Sequence, residues 1–319
     1  MSESSRLNRT NNVSLRWRQT LICLAWACAV ALWSVTALSP AQAQPKTCVP
    51  VIKNPPTSVQ VDYDPFLVGA APTGLTFQLL NQTDTTCKID LAITNSSREP
   101  VFDLPLADLG LVLNIGSSAA EPQGTQKTGH YEVILEAGQT KDISFDLSVT
   151  TNAVVPAGRY VYSLFLAWVQ PGDKIATVIT PFQLTLNAVP RAQMNLSGAS
   201  GNFGTGPTVS IVDFGTAETG KVQGLFIQAR TNAPSRLTFR SANHGRMVLD
   251  GDESRANSLP YRIIFDGDTL DLETIAIRPI EPPPNYSGIS YPLVLQLGDV
   301  NGRRAGHYSD ELTIEITTL

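Results

Sequence analysis

Two stretches of this chain repeat one pattern, and the second copy stops early. Val61-Asp62-Tyr63 and Val212-Asp213-Phe214 open matching segments; Ala157-Gly158-Arg159-Tyr160 and Ala305-Gly306-His307-Tyr308 close them. Asp62 lies 95 residues before Ala157, and Asp213 lies 92 before Ala305. Self-similarity of this kind points to two copies of one fold. About 30 residues follow Tyr160 before the second copy begins, room for two strands, whereas 11 follow Tyr308, room for one. The second copy is therefore expected to be one strand short. A sandwich lacking a strand has a raw edge and an open core, which a strand from another chain would fill.

The local pattern is that of strands. Leu75 to Leu79, Ile89 to Ile93, Ile143 to Val149, Tyr162 to Trp168 and Phe182 to Leu186 alternate apolar and polar residues. In the second half Leu225 to Ala229, Arg236 to Phe239, Tyr261 to Phe265, Leu293 to Leu297 and Leu312 to Ile316 do the same. Strands this short, separated by Gly, Pro, Asn and Asp clusters, predict an all-β protein of two immunoglobulin-like antiparallel β-sandwich domains, the C-terminal one lacking its last strand. The expected division is a signal peptide over 1–43, an N-terminal sandwich over 44–188 and a C-terminal sandwich over 189–319. From Tyr308 the alternation Tyr308, Asp310, Leu312, Ile314, Ile316 predicts one half-buried strand continuing through the last residues. In the first copy the matching strand, Tyr160 to Val169, is followed by a turn over Gln170 to Asp173 and a further strand to Leu186.

Arg6, Arg9, Arg16 and Arg18 precede an apolar run from Leu21 to Leu38, and Ala41-Gln42-Ala43 has the small-x-small form of a cleavage site. Cleavage between Ala43 and Gln44 is expected, with a retained anchor as the alternative. The remaining chain holds 19 basic and 27 acidic residues, a net charge of −8, without a Lys/Arg cluster. Nucleic acid and anionic membrane surfaces therefore have no electrostatic footing. Of four cysteines, Cys48 and Cys87 lie beyond the signal segment. An even pair in an exported chain reads as one disulfide, the alternative being two free thiols. Closing a loop of about 40 residues would contribute roughly 3–4 kcal/mol in the chain-entropy model.

The constellation resembles the spore coat protein U family, subunits of archaic chaperone–usher pili. In the second copy the resemblance rests on Val212-Asp213-Phe214-Gly215, Ala229-Arg230-Thr231-Asn232, Ser241-Ala242-Asn243-His244-Gly245, Leu259-Pro260-Tyr261-Arg262-Ile263 and Ala305-Gly306-His307-Tyr308-Ser309-Asp310. The first copy matches more loosely, through Cys48, Val61-Asp62-Tyr63, Cys87 and Ala157-Gly158-Arg159-Tyr160, and Ser235 stands where Cys87 stands. The resemblance implies a periplasmic pilus chaperone that lends a strand, an outer-membrane usher, and replacement of that strand by the N-terminal donor strand of the next subunit. It places Leu312, Ile314, Ile316, Met194 and Leu196 on the acceptor side of the groove. Only Gln44 to Thr47 precede Cys48 after the cleavage site, too few for a donor segment, so the chain is expected to accept a strand without giving one. That implies a tip adhesin at the cell surface of a Gram-negative bacterium, acting in surface attachment and biofilm formation, with a surface or host receptor at the head. A free secreted carbohydrate-binding module and a minor shaft pilin are the alternatives.

No active site is expected. The histidines His130, His244 and His307 are scattered, and no Gly-x-Ser-x-Gly elbow occurs. Asp250-Gly251-Asp252-Glu253 and Asp266-Gly267-Asp268 lack the spacing of a calcium loop and read as turns. No cofactor and no metal are expected. Phe66, Leu67 and Val68 are the candidate binding loop, with Leu104 to Leu113 as a second apolar stretch; core or strand is the competing reading of both. Trp168 alternates with Leu164 and Leu166 and reads as core.

Overall fold

The alternating segments form strands, and the strands sort into two sandwiches. In the computed structural model the described residues are 50–67, 71–96, 103–106, 108–117, 129–150, 153–169, 178–252 and 254–319. The signal segment with Ala43 and Gln44, Cys48, Val68, the turn at 170–173 and Glu253 lie outside them. Cys48–Leu319 is one compact unit.

The N-terminal sandwich contains β1 (Val51–Lys53), β2 (Ser58–Tyr63), β3 (Thr73–Leu80), β4 (Cys87–Thr94), β5 (Asp103–Leu106), β6 (Leu111–Ser117), β7 (Tyr131–Leu135), β8 (Thr140–Val149), β9 (Gly158–Val169) and β10 (Val178–Ala188). One sheet has the order β1-β3-β8-β6-β5 and the other β2-β10-β9-β4-β7. All pairings are antiparallel except β2 with β10, which is parallel. The inner faces bury one apolar core, from Val59 to Ala188, which includes Leu79, Ile89, Phe145, Leu166 and Trp168. Phe145 sits edge-on to Tyr131 with ring centroids 5.0 Å apart.

The C-terminal sandwich contains β11 (Ala192–Ser197), β12 (Val222–Thr231), β13 (Ser235–Ser241), β14 (Arg246–Leu249), β15 (Leu259–Phe265), β16 (Asp268–Leu270), β17 (Ala276–Ile280), β18 (Ile289–Leu297), β19 (Tyr308–Ser309) and β20 (Leu312–Thr318). Its larger sheet runs β11-β12-β18-β15-β14-β19, with β16 on β15; the smaller is β17-β13-β20. Asp266 and Gly267, both with positive φ, make the tight turn of the β15–β16 hairpin, so this acidic pair is a turn.

The repeat read from the sequence has a physical counterpart. Tyr160 donates its hydroxyl to the carbonyl of Pro156 at 2.9 Å, and Tyr308 donates to that of Arg304 at 2.7 Å. Each bond reaches four residues upstream and fixes the corner by which the chain enters its late strand, the role a tyrosine corner plays in immunoglobulin-like folds. We expect Tyr160→Phe and Tyr308→Phe each to cost about 1 kcal/mol, read as a lower urea midpoint at unchanged slope.

One expectation needs correcting. Tyr308 to Ile316 is not a single strand. The chain leaves β19, which pairs with β14 of the larger sheet, and enters β20, which pairs with β13 of the smaller one. The break falls at Asp310, whose carboxylate accepts hydrogen bonds from Ser241 Oγ at 2.6 Å, Tyr261 Oη at 2.6 Å, and Asn243 N and Nδ2 at 3.0 Å each. A carboxylate on the inward face needs such donors, and they pull the backbone out of the ladder where they stand.

Candidate strand-acceptor groove

Set side by side, the two sandwiches share most of their sheet order and part at the late strands. The sheet β1-β3-β8-β6-β5 matches β11-β12-β18-β15-β14 in order, and β9-β4-β7 matches β20-β13-β17. Cys87 opens β4 as Ser235 opens β13. In the N-terminal sandwich β10 then fills the place between β9 and β2. In the C-terminal sandwich the counterpart of β2 is Val212-Asp213-Phe214, which belongs to no strand, and among the described residues no strand lies between it and β20. The segment lacks the partner that makes its twin a strand.

The vacant place is a cavity of about 820 Å³ between the two sheets. Its walls include Leu196, Val212, Phe214, Leu295, Leu312 and Ile314. Of the five acceptor residues expected from the sequence, Leu196, Leu312 and Ile314 therefore line the opening. Met194 and Ile316 pack against the same core without lining it. Leu312, Ile314 and Ile316 are only half-buried, although their counterparts in β9, Leu164, Leu166 and Trp168, are covered by β10.

The rim has unpaired backbone as well as apolar walls. Leu319 N donates to Pro234 O, and Ala242 N donates to Glu311 O, so the odd-numbered residues direct their peptide groups toward β13. Because peptide groups alternate along an antiparallel strand, those of Leu312, Ile314, Ile316 and Thr318 point the other way, into the vacant place. The same residues thus offer hydrogen bonds along the edge and apolar side chains beneath it. On the opposite rim Val209 and Ile211 are 78% and 93% exposed, at positions where the N-terminal sandwich has Ser58 and Gln60. Neither residue was singled out from the sequence, where two aliphatic side chains within a stretch of Gly, Pro, Ser and Thr are the available signal.

Tyr261 lies at the bottom of the groove against Asp310. Burial first, and the hydrogen bond to Asp310 second, raise its phenol well above the ordinary value of 10. A group that keeps its proton in the folded state but loses it when unfolded makes stability fall as pH rises past the unfolded pKa, here about 10. Urea midpoints are expected to drop between about pH 9 and pH 11, and to drop less steeply in Tyr261→Phe; parallel pH profiles would contradict this.

The candidate binding loop is placed elsewhere. Phe66 packs at the junction of the two sandwiches, 4.6 Å from the Arg230 guanidinium and edge-on to Tyr286 at 6.5 Å. Arg230 lies between Phe66 and Phe203 and holds Gln193 Oε1 with two nitrogens. Leu67 is exposed beside it. Leu104 and Leu109 pack on the N-terminal core, with Leu106, Leu111 and Leu113 buried in it. Cys87 is buried and disulfide-bonded. Asp252 is held near pKa 2 by Ser254 and Asn257, an acidic turn satisfied from its own loop. His307 Nδ1 meets Asp250 at 3.0 Å in the corner loop.

No family model and no curated protein matches the chain. Among solved structures it is similar to a chain of the chaperone–tip adhesion subunit pre-assembly complex from the archaic chaperone–usher Csu pili of Acinetobacter baumannii. That match has 14% identity and a TM-score of 0.42, covering 84% of this chain and 99% of that one. CfaE, the adhesive subunit of CFA/I fimbria of enterotoxigenic Escherichia coli, is similar at 13% identity and a TM-score of 0.36, over 84% and 94%. The CupB6 tip adhesin of Pseudomonas aeruginosa is similar at 10% identity and 0.34, over 84% and 93%. At these identities and scores the properties of those proteins do not carry over.

Proposed function

We propose that this protein is a pilus subunit of the chaperone–usher type whose C-terminal sandwich is completed by a strand from another chain. One observation carries the reading: the sheets of the C-terminal sandwich follow the order of the N-terminal ones, but among the described residues no strand stands where β2 and β10 stand in the first, and a cavity lies there. A periplasmic chaperone would fill the place first, and the N-terminal donor strand of the next subunit, brought by an outer-membrane usher, would fill it in the fibre. Backbone hydrogen bonds would supply affinity and alternate apolar side chains the register. The Cys48–Cys87 pairing, the cleavage after Ala43 and the division at 188/189 belong to the same reading.

Position in the fibre follows from strand direction. β10 runs antiparallel to β9 and ends beside Gly158. An occupant running in the same sense would start near Leu319 and Pro234 and end near Gly306. The first end adjoins the N-terminal sandwich through Asn232, so the body that follows the donated strand would lie at the opposite pole. The N-terminal sandwich would then stand free at the tip as a non-catalytic binding head, exposed on a Gram-negative cell for surface attachment and biofilm formation.

The test is thermal unfolding and size-exclusion of the chain beginning at Gln44, with and without a copy of Val178–Ala188 fused after Leu319 through a linker of about four residues, the usual length of a hairpin loop. The fused chain is expected to be a monomer melting about 10 °C or more above an aggregation-prone parent. A parent that is already a stable monomer, unchanged by the fusion, would make the protein a free-standing binding module.

A further inference from the structure

The junction between the sandwiches is built around one side chain. Asn232, in the turn between β12 and β13, is buried and spends its polar groups across that junction. Its Nδ2 donates to Val155 O at 3.1 Å and Val189 O at 3.0 Å, and its Oδ1 accepts from Arg191 N at 2.7 Å. Its backbone N donates to Arg191 O at 3.1 Å, and its carbonyl accepts from Ala157 N at 2.8 Å. Ala157 lies just before the Tyr160 corner through which the chain enters β9. Around this knot the Arg191–Asp64 ion pair and the Phe66–Arg230–Phe203 stack tie the same two bodies together.

The knot also connects to the groove. Two residues after Asn232, Pro234 O accepts from Leu319 N, which holds the end of β20 to the same turn, and Ser235 begins β13, the neighbour of β20. While the groove is empty, β20 is an edge strand of a three-stranded sheet, and such strands open locally at low free-energy cost. Each opening at the end of β20 loosens the turn that carries Asn232.

We propose that Asn232 couples the two sandwiches, so that filling the groove tightens the N-terminal sandwich at Val155 to Ala157. The coupling runs through contiguous hydrogen bonds, from the occupant to β20, from Leu319 to Pro234, and from Asn232 to Val155, Ala157 and Val189, and it needs no change of overall shape. Asn232 acts as a positioning residue between two sites and touches no ligand itself. Completion of the base thereby stiffens the head. The inference rests on the strand-acceptor reading of the groove and adds a second, distant effect of its occupation.

Hydrogen exchange on the full chain tests it, with the fused copy of Val178–Ala188 as the probe. The Ala157 amide is the reporter, because its acceptor is Asn232 O. Fusion is expected to slow exchange in β20 and, by about fivefold or more, at Ala157. In Asn232→Asp, which keeps the size but cannot donate to Val155 and Val189, fusion should still slow β20 and leave Ala157 unchanged; Asn232→Ala gives a second reading of the same loss. Slowing of β20 with no change at Ala157 in the parent sequence would overturn the coupling alone. A change at Ala157 that persists in both variants would overturn the role of Asn232. No slowing of β20 would remove the groove reading, and the coupling with it.

Discussion

Sliding the fused strand by one residue is expected to abolish its stabilising effect. In β10 the inward side chains are Phe182, Leu184, Leu186 and Ala188, all buried, and the alternate ones are Gln183, Thr185 and Asn187. Their cross-strand partners in β9 are Leu164, Tyr162, Tyr160 and Gly158, whose counterparts are Leu312, Asp310, Tyr308 and Gly306. The first three of those counterparts line the cavity of about 820 Å³, as does Gly306. A copy in register therefore delivers one Phe and two Leu side chains to the cavity. A shift of one residue delivers Gln, Thr and Asn instead, because side chains alternate with a period of two. Both fusions order the same eleven residues, so their backbone entropy cancels and the difference is side-chain burial. At roughly 1.5–3 kcal/mol for each large apolar side chain, the gap is about 5 kcal/mol or more. In a sandwich of this size that is about 15 °C in the unfolding midpoint. Equal melting of the two fusions would show that the groove has no register.

Asp310→Ala is expected to destabilise the C-terminal sandwich by about 3–5 kcal/mol. Four donors converge on this carboxylate, and hydrogen bonds to a charged group contribute about 1.5–3 kcal/mol each when measured singly. They do not add, because Ser241 Oγ keeps its bond from Gly245 N at 2.7 Å after the carboxylate is gone. The phenol of Tyr261 and the Asn243 amide would be left without an acceptor, and the chain would lose what holds its crossing from β19 to β20. Asp310→Asn retains one acceptor oxygen and should lose about half as much. The urea midpoint of the fused chain is the measurement. A loss below about 1 kcal/mol would mean that water replaces the carboxylate and that the crossing is held by strand pairing alone.

Much of this was legible without coordinates, for a local reason. Alternation of apolar and polar residues is written into neighbouring positions, so the ten alternating segments could be read as strands one at a time. The repeat was legible too: the two corner tyrosines make the same four-residue bond wherever they stand. The inward position of Asp310 was also visible in the alternation, and a lone carboxylate on an apolar face is a sign that donors must surround it. The identity of those donors was not visible, since Ser241, Asn243 and Tyr261 lie 49 to 69 residues away.

What the tertiary structure alone decided is which surfaces meet. Phe66 looks like a loop-tip residue in the sequence, and only folding sets it against Arg230, more than 160 residues later. Asn232 resembles any turn asparagine until Val155, Val189 and Arg191 are brought around it. The sequence by itself determined the alternating strands and the doubled pattern, because both depend on side-chain period and spacing along the chain. The sheet order that leaves the cavity, and the junction between the two sandwiches, depend on pairing between distant residues. Partners far apart in sequence leave no periodic trace in either segment.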